Sequence, residues 1–194
     1  MTLKIAGIDI RELKPIPDIE SGDEKEVFAF YGLASFNAQC AEKALVNFAM
    51  GYKLLDESVL TQEQWLDLYD GLNSNTFGRL LGQIKKRVDL SDELLSHLDD
   101  TLQKRNWLAH DFFYDYAIHM SDYDGRVEMI MLLQSLIIKF QIADREIEKL
   151  SSLVWRQFGI DESWIQNEIS AQKLEKQSAK KPNKIPWFIV KLFL

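Results

Sequence analysis

Cysteine, histidine and proline are all scarce in this chain. The one cysteine, Cys40, excludes a disulfide within it, and no grouping with the three histidines has the spacing of a zinc site. No metal ligand and no cofactor is therefore expected. The four prolines fall in two places, Pro15 and Pro17 near the start and Pro182 and Pro186 near the end, and both stretches lack a helical period. Long apolar runs are missing. No window is apolar enough to span a bilayer, and Met1 to Arg11 has no signal-peptide core, so the expectation is a cytoplasmic protein with no transmembrane segment. A P-loop, a dinucleotide-binding glycine pattern, a nucleophile elbow, an H-E-x-x-H pair and an internal repeat are absent as well. Positive charge is short: the net charge is −7. Phosphate affinity comes largely from Lys and Arg, so non-specific RNA binding should be weak, although a small positive cleft is compatible with that total.

What is present is helical pattern. With 46% hydrophobic residues over 194 positions the chain can bury the core of one domain. Residues 1–23 read as an irregular N-terminal arm with a short strand at Leu3 to Ile10. Asp23 or Ser21 can cap a long helix from Glu24 to Tyr52, interrupted or bent near Gly32. Thr61 caps a short helix to Tyr69 with Leu66 inward, and Gly71 to Asn75 is a turn. Thr76 starts a helix with Phe77, Leu80, Leu81 and Ile84 inward and Arg79, Lys85, Lys86 and Arg87 outward. A further helix runs from Ser91 to about His119. Asp122 to Gly125 is a turn, and a second long helix runs from Arg126 to Phe158, ended by Gly159. The expected fold is thus an all-α bundle of about five or six helices over residues 24–160. A C-terminal segment, 161–194, follows, with a helix capped by Asp161 and then a tail. From Lys173 onward there are six Lys and one Glu, a net of +5, which leaves −12 for the rest. The tail closes on Pro186-Trp187-Phe188-Ile189-Val190-Lys191-Leu192-Phe193-Leu194, too short to span a membrane and suited to packing on the domain, docking a protein partner or lying at a membrane surface.

The stretch Lys104 to Phe113 carries the most chemistry. At about 100° per residue, Leu94, Leu98, Leu102, Arg105, Ala109, Phe112 and Tyr116 share one stripe. A guanidinium on such a stripe must be paired or face a cleft. The adjoining stripe, Gln103, Asn106, His110 and Tyr114, is polar throughout. Arg105-Asn106-x-x-x-His110 on a helix of an all-helical domain resembles the R-x(4–6)-H signature of the HEPN superfamily (higher eukaryotes and prokaryotes nucleotide-binding domains), with the helical likeness extending over roughly residues 25–155. The resemblance implies a HEPN-like bundle and a metal-independent endoribonuclease, a hydrolase of prokaryotic toxin–antitoxin or defence type. Its cleft would lie between the two copies of a homodimer, each giving an Arg and a His. It assigns catalytic roles to Arg105, Asn106 and His110.

RNA cleavage without metal needs a base for the 2′-hydroxyl, an acid for the leaving oxygen and positive charge at the phosphate. His110 suits the proton transfers and Arg105 the phosphate. One copy of each is too few, so the chemistry itself demands a second chain. Asn106 could orient the imidazole or bond a phosphate oxygen. Helical spacing adds Tyr114 as a binding residue, and if the nuclease reading holds, the basic run Lys85, Lys86 and Arg87 can guide RNA. Phe112 stands where a family subgroup paired with a nucleotidyltransferase antitoxin has Tyr, a departure from that pattern.

Plainer readings stand beside these. Arg105 can be a structural ion pair, with Glu42 on the first long helix as the candidate partner. His97, His110 and His119 can be surface histidines. Lys85 to Arg87 can be a solvated face, Trp107 a core contact, and Cys40 buried filler. On those readings the protein is a non-catalytic HEPN-like module that binds RNA, a nucleotide or a protein partner or antitoxin through its tail, or a structural helical dimer with no ligand.

Overall fold

The computed structural model describes residues 4–5, 7–56 and 61–178, so the tail from 179 onward lies outside the described residues. Within them the fold is all-α. A minimal antiparallel hairpin, β1 (Lys4–Ile5) and β2 (Ile8–Asp9), replaces the single strand expected at the start. It turns at Gly7, whose φ of +77° is left-handed backbone that favours glycine. Seven helices follow: α1 (Glu24–Asp56), α2 (Gln62–Asn73), α3 (Phe77–Lys85), α4 (Asp92–His110), α5 (Phe112–Asp115), α6 (Tyr123–Trp155) and α7 (Glu162–Ser178).

Local chemistry starts most of them. The side chains of Thr61, Thr76, Ser91 and Asp122 each accept the backbone N–H three residues on, and Thr61 completes a capping box with Gln64. Asp23, not Ser21, caps α1, accepting from the Glu26 amide at 2.9 Å. Helix α1 continues through Gly32, so of the two expectations there the interruption is absent. Helix α2 runs past Gly71, where a turn was expected, and turns Trp65, Leu68, Tyr69 and the buried Leu72 to the core, leaving Leu66 only half-buried. Helix α3 buries Phe77, Leu80, Leu81 and Ile84 as its periodicity predicts.

The two 33-residue helices, α1 and α6, form the spine. They lie parallel, start beside start. A Cβ at Gly22, just before α1, would come within 2.7 Å of Tyr123 at the head of α6, and one at Gly51 would come within 3.0 Å of Val154 at its foot. Fully buried Ala34 and Ala41 on α1 permit this close approach. Helix α4 runs the other way: Leu98 packs with the later halves of α1 and α6, and Leu108 and Phe112 pack with their earlier halves. The core therefore has two lobes. One holds Leu45, Met50, Leu80, Leu81 and Ile147, the other Phe30, Met129, Ile130, Leu133 and Phe140.

The arm is a strap on α6. It runs antiparallel to that helix: Gly7 carbonyl to Lys149, Lys14 amide to the Gln141 side chain, Pro17 carbonyl to Gln134, Gly22 carbonyl to Arg126. Ile8 is buried, and Ile16 and Ile19 are half-buried against the second lobe. Glu26 fastens the strap at its end by accepting the amides of Glu20, Ser21 and Gly22 at 2.6–2.9 Å. Those bonds, the Glu20 amide first, hold its carboxyl down at about 2.

Candidate functional site

Helix α4 does not reach His119. It stops at His110, and Asp111 leaves helical geometry at φ −120° and ψ −18°. The cause is packing beyond the break. Phe112 swings into the core at 1% exposure, where Trp107 meets its ring edge-on at 5.5 Å and Tyr116 stacks on it at the same spacing. Trp107 also donates from Nε1 to Asp115 at 2.7 Å, bridging the kink. Trp107 is thus a tertiary contact. Tyr114 belongs to the separate turn α5, so it is not one helical turn beyond His110, and it is 86% exposed.

The buried line of α4 passes through Leu98, Thr101 and Leu108. Ala109, expected on the inward stripe, is exposed, and Arg105 sits at the border, half-buried. Its guanidinium is held from two sides: it donates to Glu42 Oε2 on α1 at 3.0 Å and to Asn106 Oδ1 at 3.1 Å. The Glu42 side chain is only 17% exposed, so the pair is partly desolvated and well anchored. Asn106 and His110 are exposed one turn apart, and the His110 imidazole makes no hydrogen bond to any described residue. Along α4, Arg105 is thus turned toward Glu42, while Asn106 and His110 follow it on the exposed side. Two of the five guanidinium N–H groups are engaged, leaving others for an anion.

The basic run is elsewhere. Lys85 is clasped by both carboxylate oxygens of Asp99 at 2.6 Å, while Lys86 and Arg87 are exposed. Asp99 precedes His110 by eleven residues on α4, roughly 16 Å along the axis. Lys85 is thus neutralised near the middle of α4, well away from His110.

Two histidines behave differently from each other. His97, expected at the surface, is 15% exposed and holds Glu146 of α6 through Nδ1 at 2.7 Å. Nothing in the sequence links these positions, which lie 49 residues apart. His119 is partly exposed, meets the Tyr116 ring at a tilt with centroids 4.7 Å apart and lies 3.6 Å from Glu128. On the opposite flank of α1 from Glu42, a groove of about 620 Å³ opens between α1, α6 and α7. Cys40 lies on its wall, half-buried and not fully enclosed as expected; burial, then the charge of Asp144, pushes its thiol up and away from nucleophilic use. No group of three or more His, Cys, Asp or Glu among the described residues is placed to hold a metal ion. Comparison with family models, with characterised proteins and with solved structures finds no match.

Proposed function

We infer that this chain is a HEPN-like domain acting as a metal-independent endoribonuclease, with Arg105, Asn106 and His110 as one half of a cleft that a second copy completes. The observation that carries this reading is the ordered fork: Glu42 and Asn106 fix the Arg105 guanidinium on the same helix as an exposed His110, five residues on. A fixed cation next to a free imidazole is what phosphoryl transfer to a 2′-hydroxyl requires. Glu42 acts as a positioning residue for Arg105. An apolar area for the second copy adjoins the edge: Phe28, 53% exposed, touches Phe113 three residues beyond His110. The toxin or defence setting follows from the same resemblance.

A second reading rests on the same ion pair. Glu42 neutralises much of the Arg105 charge, and a domain so arranged serves as a non-catalytic module for a protein or nucleotide partner.

The deciding experiment is cleavage of a mixed RNA in EDTA by wild type, Arg105→Ala and His110→Ala, with molecular mass measured in parallel. The nuclease reading expects a dimer and a loss of about 100-fold or more in each variant with the fold retained. Equal cutting by all three sinks it. No cutting by a well-folded dimer favours the module.

A further inference from the structure

The groove between α1, α6 and α7 is built independently of the Arg105 edge. Several of its rim charges are engaged. Arg145 holds Glu148 at 2.8 Å, Lys149 faces Glu12 at 3.9 Å, and Lys43 bonds Asn73. The floor is different. The Asp144 carboxylate has neither an ion pair nor a hydrogen bond with any described residue. Two turns further along α6, Ser151 is 3% exposed, lines the groove, and its Oγ has no partner among the described residues. Opposite them, Ile165 and Ile169 of α7 give an apolar wall. A half-buried carboxylate and an orphaned buried hydroxyl on one face of one helix are both unfavourable as they stand, and a ligand that satisfies both removes the penalty.

The chemistry of that ligand follows from the lining. An anion is repelled by Asp144. A divalent cation would find one carboxylate and one hydroxyl, too few hard oxygens. A protonated amine needs one carboxylate, and its aliphatic body suits the two isoleucines. Asp144 and Ser151 are seven residues apart on α6, roughly 10 Å, so a single ammonium cannot serve both. We propose that the α1–α6–α7 groove binds an extended aliphatic amine, its ammonium on Asp144 and a second hydrogen-bonding group on Ser151. Burial, then the neighbouring Glu148, pushes the Asp144 carboxyl up to about 6, so it is mostly ionised at pH 7.5 and discharged by acid. The charged or titratable groups facing it are Lys14 from the strap, Cys40 from α1, and Arg145 and Glu148 from its own helix.

Calorimetric titration of the full chain with 8-amino-1-octanol, which spans about 10 Å, tests this against 1,8-octanediol and n-octylamine. The amino alcohol is expected to bind saturably at pH 7.5, about tenfold or more tighter than the diol. Asp144→Asn, checked for fold by circular dichroism, should remove that difference. Ser151→Ala should bring the amino alcohol to the level of octylamine, and affinity should fall as pH drops through about 6. Any of three results overturns the proposal: diol and amino alcohol bind alike, Asp144→Asn binds the amino alcohol as wild type does, or wild type shows no saturation up to about 10 mM.

Discussion

Asp144 is a carboxyl whose folded state prefers the proton. Its value of about 6 lies above the ordinary carboxylate range, so between the two values the native chain binds the extra proton and stability falls as pH rises. Above about pH 6 the whole penalty is present, on the order of 1–3 kcal/mol. Asp144→Asn is therefore expected to raise the melting temperature at pH 7.5 and to change it little at pH 4; an unchanged midpoint at both would contradict the burial argument. Gly125 is a second sensitive position. A Cβ there would sit 2.4 Å from the carbonyl oxygen of His119, which is backbone and cannot turn aside. Gly125→Ala should cost about 2 kcal/mol or more, read in urea denaturation. Residue-level legibility was uneven. The Arg105–Glu42 pair could be named because a guanidinium near an apolar stripe must find an acid. His97 was misplaced because its partner, Glu146, sits on another helix and leaves no mark in the pattern around it.

Helices were most legible where their ends are set locally. Thr61, Thr76, Ser91 and Asp161 each satisfy an amide three residues away, and a capping rule sees that span. The break at Asp111 escaped the same reasoning because Phe112 is drawn into the core by Trp107 and Tyr116, not by any turn residue. That break takes Tyr114 off the helix that carries His110, so the extent of the candidate stretch was not legible in the sequence. Between elements, His97 and Glu146 tie α4 to α6. Removing the imidazole orphans a carboxyl on a residue only 8% exposed. His97→Ala should destabilise by about 3 kcal/mol, whereas His97→Leu with Glu146→Leu should recover most of the loss; a double-mutant cycle in urea reads the coupling, and additive effects would mean the pair contributes little.

At the scale of the molecule, the all-α class and the two long helices followed from period and length. Their parallel pairing did not, since short connections favour antiparallel neighbours and only the paths of α2 to α5 between them reverse that. Nor was the strap legible: residues 7–22 have no period because they copy the shape of α6, not a helix of their own. Deleting residues 1–20 exposes the faces under Ile8, Ile16 and Ile19. Such a truncation should melt about 10 °C lower, as loss of these contacts implies; an unchanged midpoint would mean that the strap merely rests on the helix.

The strap also sets an order of events. Its partners on α6 lie between 104 and 142 residues downstream. On a ribosome, its isoleucines emerge long before the surface they will cover. The strap is translated before the surface it covers and placed after it, once α6 has left the exit tunnel and paired with α1. Until then a nascent chain shows a short apolar stretch with nowhere to go, which is where a chaperone that reads exposed isoleucine would find it.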